Sequence, residues 1–520
     1  MGHRLQRFQS VRHQMCRNFT SKLLHRTGYV TDIEGDYQFW RRYLNLSKVL
    51  DAPSGATGPI SLREGCSFVF GGDSVDKGGM DLAVLRDLLS LKDKYPARVH
   101  FILGNRDINK MRFREELGLS SVRSHPGTYW RPGSPASSDS FSAASTDKVN
   151  IAKWMLQNTM GCPHTFELRR LELAKERGGA HVCDDDVANS ILRSVTDLDG
   201  ELANYLKRAD LAVVVNDVLF VHGAVWEGSL GVYPDHADGK ESWKQVQFEG
   251  PNRPPSPVLT WASKLNAWAH SEVDAFLTAA QGTLAAGERA PLGTPWAATG
   301  GFVGSPGSGL LQYGMGLDPN RSRVPGCVYA NSLQKGAPVL MKSKVRDALV
   351  SSGITTVVSG HQPFGDAPLV IANGNLRVIT ADTSFSNDQK WDFVGGEARP
   401  RVLPPVSNSR PSPQVGNGTR GHAVAEVVFE SGGGGEDGGR SITNVHGVLS
   451  NGEAYDYTMP TPSKSNTCLI GREVSDGWWA RVLLSDGKVV LSKGEGYACT
   501  NRVVAESWAW KQLEQGGSTG

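Results

Sequence analysis

Short apolar runs that each end in a polar cluster are the feature that most restricts the fold of this 520-residue chain. The runs at 28–33, 67–72 and 99–104 alternate with segments at 37–50 and 81–95, where apolar residues recur at helical spacing. Strands that alternate with helices favour a parallel sheet covered by helices. The sequence therefore predicts an α/β fold for its first part.

Further along the chain, the pattern predicts more helices and two hairpins. Residues 150–208 have a mostly helical pattern. The pairs Asn216-Asp217 and Asn373-Gly374 each separate two apolar runs, as tight β-hairpin turns do. We expect a Gly-rich stretch at 299–316 to be a loop.

Composition divides the chain into three predicted parts. Residues 1–26 are basic and contain no acidic residue, which is typical of an organellar transit peptide and equally of a plain basic tail. Residues 27–395 form the predicted main domain, with inserts near 121–208 and 228–330. Residues 396–520 are predicted to be a Gly/Pro-rich linker followed by a β-rich C-terminal region.

Bulk properties narrow the class of protein. The formal net charge of +2 gives no electrostatic reason to expect nucleic acid as a partner. The sequence contains no run of about 18 apolar residues, so no membrane span is predicted. Seven scattered cysteines without a CxxC pair indicate reduced thiols. We expect an intracellular protein, cytoplasmic unless its basic N-terminus directs it to a mitochondrion or plastid.

Polar side chains follow each predicted strand. In chain order they are Asp32 and Glu34; Asp73, Asp76 and Lys77; Asn105, Arg106 and Asp107; His222; and His361. Because functional residues collect at the carboxyl ends of parallel strands, we expect these side chains to share one edge. Their carboxylates, amide and imidazoles suit two divalent ions bridged by one carboxylate.

The order of these clusters resembles the calcineurin-like metallophosphoesterase superfamily. That pattern runs DxH, GDxxDRG, GNH with Glu or Asp, a histidine, and then GH. The block GGDSVDKGG at 71–79 is the most specific and is similar to the phosphoprotein phosphatase branch. The resemblance covers residues 28 to about 385. It implies an αββα four-layer sandwich with insertions and a β-rich C-terminal extension, and it implies hydrolysis of phosphate esters.

The resemblance also implies roles for individual residues. The ligands of two divalent ions would be Asp32, Glu34 and Asp73 at the first ion and Asp73, Asn105, His222 and His361 at the second. Mn²⁺ is the first choice, with Mg²⁺, Fe or Zn as alternatives, and a hydroxide bridging the ions would attack phosphorus. Lys77 and Arg106 would contact the phosphate. The catalytic candidates are Asp76, Arg106 and Asp107.

Two positions depart from the family pattern. Glu34 replaces the histidine of DxH, so the first ion would have only oxygen ligands, which suit Mg²⁺ or Mn²⁺. Arg106 replaces the histidine of GNH, which is the implied proton donor. Arginine does not titrate near neutral pH and cannot donate a proton to the leaving group. Arg106 can hold a phosphate bidentately, or it can pair with Asp76. Asp36 and Asp107 could simply cap helices.

These observations leave three predicted functions open. The first is a metal-dependent phosphatase acting on a phosphorylated small molecule or protein. The second is a catalytically impaired relative that binds phosphorylated ligands or proteins, as the changes at Glu34 and Arg106 suggest. The third is a phosphodiesterase or nucleotide hydrolase of the same fold.

Overall fold

The computed structural model describes residues 25–52, 58–117, 148–235, 242–286, 294–296, 301–316, 323–383, 391–394, 397–400, 414–415, 423–431, 441–462, 468–495 and 498–516. Of the predicted basic segment 1–26, His25 and Arg26 fall within these ranges and belong to the first strand. The rest of that segment, and the Ser/Pro-rich residues 131–146, lie outside them.

The strands of the three larger sheets are numbered in chain order. They are β1 (His25–Val30), β2 (Cys66–Phe70), β3 (Val99–Ile102), β4 (Ala209–Asp210), β5 (Ala212–Val215), β6 (Val218–Val221), β7 (Thr356–Ser359), β8 (Leu369–Asn373), β9 (Leu376–Thr380), β10 (Gln414–Val415), β11 (Val424–Ser431), β12 (Ile442–Val448), β13 (Ala454–Met459), β14 (Glu473–Ser475), β15 (Trp478–Leu483), β16 (Lys488–Glu495) and β17 (Ala498–Ala505). Short antiparallel ribbons pair Leu50–Asp51 with Ser61–Leu62, Val232–Asp235 with Ser242–Gln245, Thr294–Trp296 with Gly301–Val303, Leu333–Gln334 with Ala337–Pro338, and Trp391–Val394 with Glu397–Pro400.

The helices are numbered in the same way. They are α1 (Tyr37–Leu46), α2 (Asp81–Lys94), α3 (Asn105–Asn109), α4 (Phe113–Glu116), α5 (Lys148–Asn158), α6 (Thr165–Glu176), α7 (Asp184–Thr196), α8 (Glu201–Arg208), α9 (Pro257–Ala286), α10 (Ser308–Met315), α11 (Ser343–Ser351) and α12 (Glu506–Gly516), with a 3₁₀ turn at Lys110–Arg112. In the part of the chain that the structure describes, no helix combines the length and apolar character needed to cross a membrane.

Two mixed sheets form the centre of the fold. The first has the order β13-β12-β11-β1-β2-β3-β4, with β1 to β4 parallel and β11 antiparallel to β1. The second has the order β8-β9-β7-β6-β5, with β9, β7 and β6 parallel. The two hairpins predicted from their turn residues are confirmed as β5–β6 and β8–β9. The predicted α/β class is confirmed in this mixed form.

Successive side chains of the central strands point to opposite faces of the sheet, and both faces are packed. Tyr29 of β1 stacks on Phe220 of β6 with ring centroids 5.5 Å apart, which joins the two sheets. Phe68 and Phe101, on the opposite face of the first sheet, pack against Tyr43 of α1 and Tyr205 of α8. Since successive side chains of a strand point to opposite faces, buried apolar runs are what a sheet covered on both faces requires.

The C-terminal residues are β-rich, as predicted. A third sheet, β10-β17-β16-β15-β14, is antiparallel throughout its described strands. Strands β11 to β13 also lie in the predicted C-terminal region, yet they extend the sheet that begins with β1. The division of the chain into domains stays a prediction.

The prediction of a loop at 299–316 is wrong in part, because this Gly-rich stretch contains the helix α10. Two of its glycines, Gly307 and Gly316, flank the helix with φ of 84° and 74°, while Gly309 and Gly314 lie within it. Leu310 and Met315 are buried, so packing outweighs the weak local helix preference of the segment.

Candidate metal centre

The parallel strands of both sheets end at one edge, which we call the crest. β1, β2 and β3 lead to Asp32, Asp73 and Asn105, while β6 and β7 lead to His222 and His361. The backbone N–H of His361 donates to Asp32 at 3.0 Å, so loops from the two sheets meet directly. The expectation that strand ends would gather these residues agrees with this geometry.

The backbone at the crest is unusual. Eight described non-glycine residues have positive φ, and five of them are predicted site residues: Asp32 (53°), Glu34 (47°), Asp73 (54°), Asp76 (128°) and His361 (72°). Such conformations cost of order 1–3 kcal/mol each and cluster at functional sites. Local strain is therefore concentrated where the sequence predicts chemistry.

Glycines let the strand ends approach one another. A Cβ at Gly360 would lie 2.0 Å from Oδ2 of Asp32, and one at Gly72 would lie 2.9 Å from Nδ1 of His222. Gly72 also has φ of 97°, which side chains rarely tolerate. The Gly-Gly and Gly-His dipeptides of the motifs are thus needed for close backbone approach.

One side of the crest, the histidine side, consists of Asp32, Asn105, His222, His361 and Oδ1 of Asp73. Oδ1 of Asp73 lies 3.4 Å from Nε2 of His222. Oδ1 of Asn105 lies 3.1 Å from the same nitrogen and 2.8 Å from Nδ1 of His361. Ligand atoms of Asp32, Asp73 and His222 lie within 4.8 Å of one another. This arrangement fits a metal ion.

Burial and charge set the pKa values on the histidine side. Burial raises the pKa of Asp32 well above its usual value, and Asp382 adds to the effect. Burial lowers the pKa of His361 to about 3, with His222 contributing, so this ring is neutral at pH 7. Burial opposes a charge on His222, but Asp73 raises the pKa of His222 to about 10. Without an ion, His222 would itself supply the cation that Asp73 requires.

The other side, the arginine side, consists of Glu34, Asp76, Lys77, Arg106, Lys110 and Oδ2 of Asp73. Nε of Arg106 lies 2.7 Å from Oε1 of Glu34 and 3.6 Å from Oδ2 of Asp73, and its Nη1 lies 3.0 Å from Oδ2 of Asp76. Lys77 lies 3.3 Å from Oε2 of Glu34. The predicted pairing of Arg106 with Asp76 is therefore present, and Glu34 joins it.

The two capping candidates have different surroundings. Asp36 accepts a hydrogen bond from the Phe39 N–H and caps α1. Asp107 is fully buried, and it accepts from the backbone of Gly104, Asp73 and Ser74 at 2.8–2.9 Å. Its carboxylate thus joins the loops after β2 and β3 beneath the crest. Burial raises the pKa of Asp107 to about 6.

Sequence analysis missed two charged residues at the crest. Lys110 lies 2.7 Å from Oδ1 of Asp76, so both oxygens of that carboxylate contact cations. Lys110 follows Arg106 by four residues, and this helical spacing was a readable sign that they share a face. Asp382 follows β9 as the other site residues follow their strands, and it lies close enough to Asp32 to affect its pKa.

No protein-family model and no curated protein sequence matches this chain. A cold-active protein-tyrosine phosphatase from the psychrophile Shewanella sp. is similar in structure, with a TM-score of 0.39 and 13% identity over 84% of this chain and 81% of that one. A serine/threonine phosphatase from Saccharomyces cerevisiae is similar with a TM-score of 0.31 and 11% identity, over 85% and 81% of the two chains.

Proposed function

We propose that this protein hydrolyses phosphate esters with the help of divalent metal ions bound at the crest. The observation that carries the proposal is the row of donor atoms from Asp73, His222, Asn105 and His361, spaced 2.8–3.4 Å apart. Donors that share one ion at bond lengths of about 2.0–2.2 Å lie roughly 2.8–3.6 Å apart in octahedral or tetrahedral sites. The spacing matches that requirement.

The supporting contacts favour ligation over a purely structural role. Nδ1 of His222 lies 2.9 Å from the carbonyl of Gly71, which fixes the ring and leaves Nε2 turned toward Asp73 and Asn105. Metal-binding histidines usually donate their other ring N–H in this way. Divalent ions held there would supply an activated water nucleophile and neutralise the phosphoryl oxygens.

The chain itself offers cations for the substrate. Nη2 of Arg106 has no hydrogen bond to the described residues, although Nε and Nη1 are held by carboxylates. The guanidinium is thus fixed in place with donors remaining for a phosphoryl oxygen. Lys77 is partly buried beside it and would add a second positive charge. In this proposal Asp76 orients Arg106, and Asp107 positions the loops.

The finer parts of the proposal follow the family resemblance. They include the αββα sandwich, in which helices cover the outer faces of the two packed sheets. They also include Mn²⁺ as the preferred ion and two ions as the implied number, with Asp73 as the shared ligand. Glu34 is the implied ligand of the first ion, but its carboxylate already pairs with Arg106.

Hydrolysis of an aryl phosphate by metal-depleted protein tests the proposal. We expect activity to return on addition of Mn²⁺ and to be absent in His222→Ala, a variant that removes one donor atom. Folding of the variant is checked by circular dichroism. Comparing mono- and diester substrates separates a phosphatase from a phosphodiesterase. Turnover that does not depend on any divalent ion would contradict the proposal.

One observation favours a second candidate, a protein that binds phosphorylated ligands without efficient turnover. Arg106 contacts three carboxylates where the family pattern has a histidine, so no proton donor for the leaving group stands at this position. A calorimetric titration beside the same assay decides: tight binding of inorganic phosphate without hydrolysis of the aryl phosphate in the presence of Mn²⁺ supports the binding protein.

A further inference from the structure

The strongest departure of the crest from a two-ion site lies around Glu34. Its carboxylate oxygens contact Nε of Arg106 at 2.7 Å and Nζ of Lys77 at 3.3 Å. Nε of Arg106 also lies 3.6 Å from Oδ2 of Asp73. The guanidinium therefore lies beside both Glu34 and Asp73, carboxylates that the family resemblance assigns to the first ion.

Arg106 is held firmly in this position. Oδ2 of Asp76 contacts its Nη1 at 3.0 Å, and Lys110 occupies the other oxygen of Asp76 at 2.7 Å. Asp76 is fully buried, so its contacts with these cations are shielded from solvent. A guanidinium keeps its charge at every physiological pH, so it cannot be neutralised to admit an ion. A divalent ion at Glu34 would be repelled by a fixed positive charge in a shielded setting.

The histidine side shows the opposite balance. The carboxylate of Asp32 accepts hydrogen bonds from Thr31 and from the backbone of His361, and no lysine or arginine of the described residues pairs with it. Asp32, Asp73 and His222 form a group that could hold a metal ion, and Glu34 is not part of it. A cation bound on this side would thus contact Asp32 without displacing a lysine or arginine of the described residues.

We propose that the chain binds one divalent ion, on the histidine side, and that the Arg106 guanidinium supplies the positive charge that a first ion would bring to Glu34 and Asp73. This inference rests on the proposed function, since it concerns the same site. Glu34 is then a positioning residue for Arg106 rather than a metal ligand.

Counting ions tests this proposal without measuring activity. Metal-depleted full-length protein is titrated with Mn²⁺ by calorimetry, and bound Mn²⁺ is then counted by metal analysis and examined by electron paramagnetic resonance. We expect one ion per chain with the signal of an isolated Mn²⁺. Glu34→Gln should still bind one ion, with its dissociation constant changed less than about threefold. Two ions in the wild type, or loss of an ion in Glu34→Gln, would overturn the proposal.

Removing the guanidinium should create the missing site. We expect Arg106→Ala to bind a second Mn²⁺ ion, with exchange coupling between the two ions. The matched control is Lys110→Ala, which removes a cation from Asp76 but none from Glu34, and should stay at one ion per chain. A folded Arg106→Ala that binds a single ion would contradict the exclusion. If this variant does not fold, the counts for wild type and Glu34→Gln still decide.

The outcome also separates this inference from the proposed function. Two bound ions together with Mn²⁺-dependent hydrolysis would overturn the one-ion centre and leave the phosphoesterase standing. No bound ion would overturn both.

Discussion

The two sides of the crest have similar numbers of acidic groups but are neutralised by different means. On the arginine side, Glu34 and Asp76 contact three cationic side chains of the chain itself, Arg106, Lys77 and Lys110. On the histidine side, Asp32 has no such partner among the described residues, and the neighbouring nitrogen ligands are imidazoles.

The difference is the basis of the proposed one-ion centre. An ionised buried carboxylate is costly unless it is paired, so we expect carboxylates without a lysine or arginine to gain more from an external cation than carboxylates that already have one. Each of the following measurements tests this difference between the two sides.

The largest effect is expected for Asp73→Asn, because Asp73 contacts both sides. Losing its charge should weaken metal binding and lower kcat/KM for aryl phosphate hydrolysis by about 10³-fold or more, since a bound ion contributes several kcal/mol and about 1.4 kcal/mol equals a tenfold change. Asp36→Asn is the matched control, because Asn caps a helix as well as Asp does. Equal activity of both variants would refute a role for Asp73.

With one Mn²⁺ ion supplied per chain, so that the second site proposed above stays largely empty, Arg106→Ala should act chiefly through substrate binding. Hydrogen bonds to a charged group contribute about 1.5–3 kcal/mol, so KM for aryl phosphates should rise about tenfold to a hundredfold. Arg86→Ala removes an arginine that likewise pairs with two carboxylates, but on the exposed face of α2, and should leave KM unchanged.

The leaving group provides a further test of Arg106. With no histidine at this position, wild-type kcat/KM should fall steeply as leaving-group pKa rises, because general acid catalysis contributes about 10²–10⁴-fold where it exists. Arg106→His should reduce this slope. A flat dependence in the wild type would mean that another group donates the proton.

Gly360→Ala should damage the histidine side by a smaller amount. The added Cβ would meet Oδ2 of Asp32 at 2.0 Å and displace it. Groups that orient metal ligands typically alter affinity by about 10–100-fold, so we expect the Mn²⁺ dissociation constant to rise within that range. The control is Gly326→Ala, whose added Cβ lies 3.2 Å from its nearest neighbour. An unchanged dissociation constant would argue against Asp32 as a ligand.

The smallest effect is expected on the free energy of unfolding, through the charged residues that support Asp76 of the arginine side. Asp81 binds the backbone of Asp76 and pairs with Arg169, which also contacts Glu172. Burial raises the pKa of Glu172 to about 7, with a contribution from Asp81. A carboxyl whose pKa is higher in the folded state gives stability that is present below its unfolded pKa and lost as pH rises through the folded value.

Glu172→Gln removes that titration. Between pH 5 and pH 8 the free energy of unfolding of the metal-free wild type should fall by about 1–3 kcal/mol more than that of the variant, as denaturant unfolding can measure. Mn²⁺ affinity should be the same in both. Parallel pH profiles would show that Glu172 does not titrate in this range.

The position of the candidate ligands at the crest was predicted from the sequence alone, whereas Lys110 and Asp382 were not predicted there. Buried strands such as Cys66–Phe70 and Val218–Val221 are readable as apolar runs, and parallel strands place the residues that follow them at one edge. The turns at Asn216 and Gly374 could be predicted because asparagine and glycine favour the positive φ that tight hairpin turns require, and both residues adopt it in the structure. Local rules therefore predicted the hairpins and the shared position of the candidate ligands.

The tertiary structure was needed to learn which strands and which charged side chains pair when they are far apart in the sequence. Residues 424–431 pair with β1 about 400 positions earlier, and no local pattern specifies a partner so far away. In the same way, the sequence placed Arg106 near Asp76 but did not reveal that Glu34 and Asp73 lie beside it too. Pairing of buried charges depends on distances of a few ångströms between separate loops, and packing of the two sheets sets those distances.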